Sequence, residues 1–331
     1  MVLIVFNPGS ERDKCTLIML KITTPSRLHL TLIDMNASIG RVDGGIGLTL
    51  DEPVISIEAE KSDTFEITGN SEHFERMRNS VALLLPEGEG IHISIEKDYP
   101  SHVGLGSGTQ AALAAGMAVN KIYNLGLSVY DLGIKVGRGG TSGIGVAAFE
   151  KGGFILDGGH KFSEKKAFLP SAASRLPPAP VLLRRDFPDW DIVVAIPEQK
   201  GASSKKEVNI FQEKCPIPLQ EVEKLSHIIL MQMLPALFEE DIVTFGKSIN
   251  SIQEIGFKKR EVEIQPVSVP LMQALRDGGA YGAGMSSFGP TVYAFGEDAV
   301  ALKKIAKEFL GEKGKVLITK ARNEGARIEN N

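Results

Sequence analysis

Apolar and polar residues alternate through Leu28, Leu30 and Leu32, and again through Ile91, Ile93 and Ile95. This period of two predicts strands at 27–33 and 90–97. The first of them turns Arg27, His29 and Thr31 to its other face. Further strands are expected at 46–50, 54–60 and 64–68, with a helix over 70–85. An alanine-rich run at 110–121 predicts a helix, because alanine is the least costly helical residue. Ser128 is a candidate N-cap for a helix at 128–136. Residues 146–150 and 153–157 read as strands. The pattern restarts with a strand at 190–196 and amphipathic helices at 219–238, 242–255 and 269–277. A strand at 291–296, a helix at 299–310 and a strand at 315–320 complete it.

The stretch LPSAASRLPPAP at 169–180 marks the approach to a domain boundary. The division expected is an N-terminal extension at 1–19, a first domain at 20–175 and a second at 176–325. A strand-rich start without a βαβ repeat predicts α+β domains. The opening 1–20 lacks the charge-first pattern of a signal peptide, and Met19 stands where the regular pattern begins. Met231, Met233 and Leu234 are at helical spacing and read as core. The run Lys258-Lys259-Arg260 reads as a solvated face or a subunit contact. Arg184 and Arg185 read as surface charges.

Composition narrows the function classes. A hydrophobic content of 43% and a charged content of 24% are ordinary for a soluble globular protein. The 37 basic and 41 acidic residues leave −4, which argues against nucleic acid as a bulk electrostatic partner. No apolar run approaches the ~18 residues of a membrane span. Cys15 and Cys215 fit neither a metal pattern nor a disulfide framework, so a reducing cytoplasm is the default location.

Three glycine-rich loops carry the candidate chemistry. The first holds Gly104, Leu105, Gly106, Ser107, Gly108 and Thr109, between a strand and a helix. Such a loop brings backbone and free helical N–H groups onto an anion, and a phosphate or diphosphate is the group expected. The alternative is a plain turn. The second loop, 137–145, contains Arg138, Thr141 and Ser142 and is a candidate second anion site. The third spans 278–290.

These loops resemble the three motifs of the GHMP kinase superfamily. Pro100 with Gly104-Leu105-Gly106-Ser107 is similar to its phosphate loop, Thr141-Ser142-Gly143-Ile144 to its second motif, and Gly282-Ala283-Gly284 through Thr291 to its third. The resemblance spans about 20–320. It implies a GHMP-kinase-like α+β fold: an N-terminal ribosomal-protein-S5-domain-2-like domain and a C-terminal ferredoxin-like domain. Two positions depart from the kinase pattern. Gly108 stands where kinases carry the serine that serves magnesium, and Gly145 where mevalonate-type kinases carry an aspartate. Phosphoryl transfer needs both a metal clamp and a group to orient the nucleophile. An ATP-dependent small-molecule kinase therefore remains only as the alternative.

The segments Pro25-Ser26-Arg27-Leu28-His29 through Asn36, Gly40-Arg41-Val42-Asp43-Gly44-Gly45, and Gly137-Arg138-Gly139-Gly140-Thr141-Ser142 resemble a non-kinase branch, the β-ribofuranosylaminobenzene 5′-phosphate synthase family. The resemblance implies a phosphoribosyl transferase of methanopterin synthesis. It would join 4-hydroxybenzoate or 4-aminobenzoate to phosphoribosyl pyrophosphate, with loss of carbon dioxide and pyrophosphate. It also implies magnesium, no organic cofactor and a homodimer. On this reading Arg27 pairs with the benzoate carboxylate or a phosphate, and His29 bonds the ring hydroxyl or moves its proton. Asp34 is a third catalytic candidate, and Asp34 and Asp43 are the candidates for magnesium or the ribose. Both aspartates also fit as simple turn residues. Asp157 and His160 end a strand, where His160 reads as a structural group.

Overall fold

The computed structural model describes residues 19–330 except 172, 200, 202 and 203, with the backbone alone at 204–206. The extension expected at 1–19 lies outside the described residues apart from Met19.

Strands β1 (Leu20–Asp34) and β2 (Arg41–Ser62) form a long antiparallel hairpin. Leu28, Leu30, Ile46, Leu48, Ile55 and Ile57 seal its inner face from solvent. The strands expected at 46–50 and 54–60 are one strand. The break between them is a register shift, where pairing passes from Thr24↔Ile55 to Ser26↔Leu50. Strand β3 (Glu66–Thr68) runs parallel to β4 (Gly90–Lys97), with helix α1 (Phe74–Ala82) as the crossover.

Helix α2 (Ser107–Ile122) packs on β1 and β2. Its buried Ala111, Ala114, Ala115 and Ala118 allow that close approach. Helix α3 (Val129–Lys135) is capped as expected: Ser128 and Asp131 exchange side-chain-to-backbone bonds of 3.1 Å each way. Residues 146–150 are helical, not a strand. They belong to α4 (Ile144–Lys151), whose Ile144, Ala147 and Ala148 share one face against Ile155. That i, i+3, i+4 packing overrides the local strand propensity of the run.

Strand β5 (Phe154–Asp157) pairs with β2, β6 (His160–Lys161) also touches β2, and the short helix α5 (Phe162–Lys165) follows. Strand β7 (Val181–Arg185) pairs with β5, so the first sheet reaches past residue 175. Strand β8 (Ile192–Pro197) opens the second sheet. Six helices then run in succession: α6 (Ser204–Lys214), α7 (Leu219–Ile228), α8 (Leu234–Phe238), α9 (Ile242–Gln253), α10 (Gly256–Glu263) and α11 (Ser268–Asp277). A π-helical turn at Ile229–Met233 interrupts the single helix expected over 219–238. It leaves Met231 62% exposed, not in the core, while Met233 is buried.

Part of the third glycine loop is a strand, β9 (Gly282–Met285), paired with β10 (Val292–Phe295). Helix α12 (Ala299–Leu310), β11 (Gly314–Thr319) and β12 (Arg327–Asn330) complete the described chain. The second sheet is antiparallel throughout, in the order β11-β8-β10-β9. Strand β12 returns to the first sheet beside β1. Among the described residues no helix is long and apolar enough to cross a membrane.

Candidate active site

A cavity of about 200 Å³ opens where β1, the start of α2, the 137–145 loop and α6 meet. Arg27, Arg76 and Arg138 line it together with Gly104, Gly106, Ser107, Gly108 and Thr109. Thr141, Ser142 and His29 also face it. Leu32, Phe211 and Phe288 supply an apolar patch of its wall and pack in one cluster.

Arg27 is locked to the first glycine loop. Its backbone N–H donates to the Leu105 carbonyl at 3.1 Å, and its Nη1 donates to the Gly104 carbonyl at 2.6 Å. Gly106 holds φ at 79°, and a Cβ there would stand 3.0 Å from Arg27 Cγ and Nε. A side chain at 106 would therefore be strained and would crowd Arg27. Burial lowers the Arg27 guanidinium to about 10, so it remains charged at neutral pH. Helix α2 has no side-chain cap and no acid in its first turn. Its N-terminal dipole and free N–H groups are left for a ligand.

His29 is tied to the second loop. Its Nε2 lies 3.2 Å from Ser142 Oγ, and Ser142 Oγ donates to Asp157 Oδ2 at 3.0 Å. Asp157 also accepts from the N–H groups of Gly143 and Gly159. Since the serine hydrogen is used on Asp157, its lone pair takes a proton from Nε2 of the ring. The three groups converge over Gly45, where a Cβ would lie 2.9 Å from Ser142 Oγ and 3.2 Å from His29 Nε2. Burial, with Arg27 and Lys258 nearby, drives the His29 pKa well down, so the imidazole is neutral. Burial raises Asp157 to about 6.

The aspartates singled out from the sequence are engaged elsewhere. Asp34 accepts from the N–H groups of Asn36 and Ala37 at 2.8 and 2.9 Å, which makes it a turn residue outside the cavity wall. Asp43 is sealed from solvent and accepts from Lys165 Nζ at 2.6 and 2.7 Å and from His160 Nδ1 at 2.8 Å. Lys165 also reaches Thr141 Oγ1 at 3.0 Å, so this buried pair braces the second loop. Neither aspartate fits a magnesium site. No group of three or more metal-ligating side chains occurs among the described residues.

Several buried or cavity-lining groups escaped sequence reading. Lys258 is fully buried, not solvated: its Nζ pairs with Glu261 at 2.5 Å and donates to the Ser287 carbonyl at 3.1 Å. The signal available was Glu261 itself, one turn along the same helix. Glu207 and Arg76 line the cavity from α6 and α1, elements distant in sequence from every glycine loop. Burial, then the Glu261 charge, raises the Glu207 carboxyl to about 7. The third loop works mainly as a clasp. Ser286 Oγ accepts from the His29 N–H at 3.0 Å and donates to the Gly104 carbonyl at 2.7 Å. At position 145 no acid faces the cavity; Gly145 instead lies against Thr109, and its carbonyl accepts from Gln110 at 2.8 Å.

Residues 72–153 match the family described as GHMP kinases N terminal domain, and residues 233–316 match GHMP kinases C terminal. The chain is 49% identical to a β-ribofuranosylphenol 5′-phosphate synthase of Archaeoglobus fulgidus, over 94% of this chain and 100% of that one. It is 46% identical to the protein of the same name from Methanothermobacter thermautotrophicus, over 93% and 98%. Its fold is similar to that of L. major mevalonate kinase solved with R-mevalonate, at a TM-score of 0.69, 17% identity and coverage of 92% and 96%.

Proposed function

We propose that this chain, which belongs to the β-ribofuranosylphenol 5′-phosphate synthase family, joins phosphoribosyl pyrophosphate to 4-hydroxybenzoate. The relatives' name specifies a phenol product, which favours the hydroxy acid over the amino acid as acceptor. One observation carries the reading. A single cavity combines a cationic glycine loop with an apolar, phenylalanine-lined wall. It offers a phosphorylated donor and an aromatic acceptor adjoining places.

The anomeric C–O bond breaks and pyrophosphate leaves with its electron pair. The ring carbon that bears the carboxylate forms the new C–C bond. The carboxylate leaves as carbon dioxide, and its electron pair restores the aromatic ring. The ring hydroxyl gives up its proton during attack and regains it afterwards, so no net proton is consumed. The uncapped start of α2 and Arg27 hold donor oxyanions. Arg138 stands at the second loop for the other anionic group. His29 is a neutral hydrogen-bonding group held by Ser142, suited to orient the acceptor and not to add charge. Preorganised electrostatics supply most of the acceleration, and no covalent nucleophile is needed. Magnesium, on this reading, would be carried by the donor and would offset the charge of its diphosphate; among the described residues no group of three or more metal-ligating side chains occurs.

The test is to mix the protein with phosphoribosyl pyrophosphate and carboxyl-labelled 4-hydroxybenzoate. Labelled carbon dioxide and pyrophosphate are expected in equal amounts, with no product from ATP. Turnover of ATP without carbon dioxide release would establish the kinase alternative.

A further inference from the structure

Arg76 lines the cavity from α1. It extends from α1 across the start of α2, where its Nε and Cζ lie 3.0 Å from the place a Cβ on Gly108 would take. Its Cδ lies 3.2 Å from the same point. No hydrogen bond or ion pair engages Arg76 among the described residues; Glu207 acts on it only as a nearby charge. Burial pulls its pKa down. A guanidinium set on the positive end of a helix is repelled by the dipole. An anion between the two would be drawn to both.

We propose that Arg76 and Gly108 form one diphosphate subsite. The missing side chain at 108 admits the Arg76 guanidinium to the mouth of α2, where both bind the leaving diphosphate of the ribosyl donor. The inference rests on the reaction proposed above. As the anomeric C–O bond breaks, negative charge grows on the diphosphate, and Arg76 takes it up as a fixed cation without transferring a proton. Gly108 is thereby a specificity residue. A side chain there crowds the guanidinium, which must shift to make room for it.

The test uses calorimetric titration of the full chain with inorganic pyrophosphate and, separately, ribose 5-phosphate. Arg76→Ala is expected to weaken pyrophosphate binding by about 10- to 100-fold, the range for a lost charge-assisted bond. Arg76→Lys restores part of it. Gly108→Ala weakens pyrophosphate binding by about tenfold, while the melting temperature holds or rises because alanine favours helix. In the Arg76→Ala background, Gly108→Ala has no further effect on binding. Equal weakening by Gly108→Ala in both backgrounds would overturn the proposal, since the backbone alone would then be the binding element. So would unchanged pyrophosphate affinity in Arg76→Ala, weakening confined to ribose 5-phosphate, or a wild-type chain that binds no pyrophosphate. Arg76-dependent pyrophosphate binding without carbon dioxide release would leave the subsite standing and remove the proposed reaction. Carbon dioxide release with an unaffected Arg76→Ala variant would do the reverse.

Discussion

The sealed charge cluster around Asp43 and the half-buried one around Arg27 are finished to different degrees. In the first, Lys165 meets both oxygens of Asp43, His160 meets the same carboxylate, and Thr141 takes a further bond from the lysine. In the second, Arg27 is bonded only to a backbone carbonyl, Arg76 to nothing among the described residues, and Glu207 faces both from a distance. A closed set of charges stabilises a loop; an open set stores attraction for something that arrives later. Buried charge is tolerated when paired and costly when not. The open cluster is therefore where the molecule gives up stability for binding.

The comparison breaks most visibly at the closed cluster. Asp43→Asn leaves Lys165 buried without its counter-charge, and a loss of about 3–5 kcal/mol is expected in chemical denaturation. Replacing both partners, with Asp43→Leu and Lys165→Met, should recover most of that loss, because paired removal leaves no orphan charge. Arg27→Ala tests the open cluster. It should lower kcat/KM by about 100-fold, equivalent to about 3 kcal/mol, while the denaturation midpoint stays close to wild type. An equal loss of stability would make Arg27 a structural residue.

Glu207 gives the smallest effect and the sharpest sign. Its folded pKa of about 7 lies above the ordinary carboxyl value, so the folded chain keeps a proton that the unfolded chain has already released. Stability attached to this group is present below the unfolded pKa and is lost as pH climbs toward 7. The melting temperature should fall across that window, with Asp157 at about 6 adding to the decline. Glu207→Gln should flatten the curve by an amount of order 1–2 kcal/mol. An unchanged slope would remove Glu207 from the buried charges of the site.

Local sequence carried a large part of this fold. The strand at Gly90–Lys97 and the helix at Ala299–Leu310 end where their apolar periods end, and Ser128 caps the helix it precedes. The errors share one physical cause: contacts made by residues distant in sequence. Residues 146–150 look like a strand by themselves, but Ile155 and Val181 select the helical face that contains Ala147 and Ala148. Lys258 looks like part of a solvated run, yet the Ser287 carbonyl and Glu261 draw it fully inside. The glycine loops were legible because their chemistry is contiguous along the chain. Arg76 and Glu207 were not, because only the folded chain brings α1 and α6 to the same cavity. Asp34 and Asp43 show the opposite limit. Their residue type suited a metal, while their surroundings had already assigned them to a turn and an ion pair.

The strand that carries Arg27 and His29 is bordered on its outer side by Arg327–Asn330, paired from Leu20 to Thr23. That last described strand shields backbone donors and acceptors which would otherwise present a free sheet edge. Cutting the chain ahead of Arg327 would thus turn part of β1 into an adhesive border. The damage would show first as self-association, before any change in chemistry, so tags and truncations at this end bear on solubility more directly than on turnover.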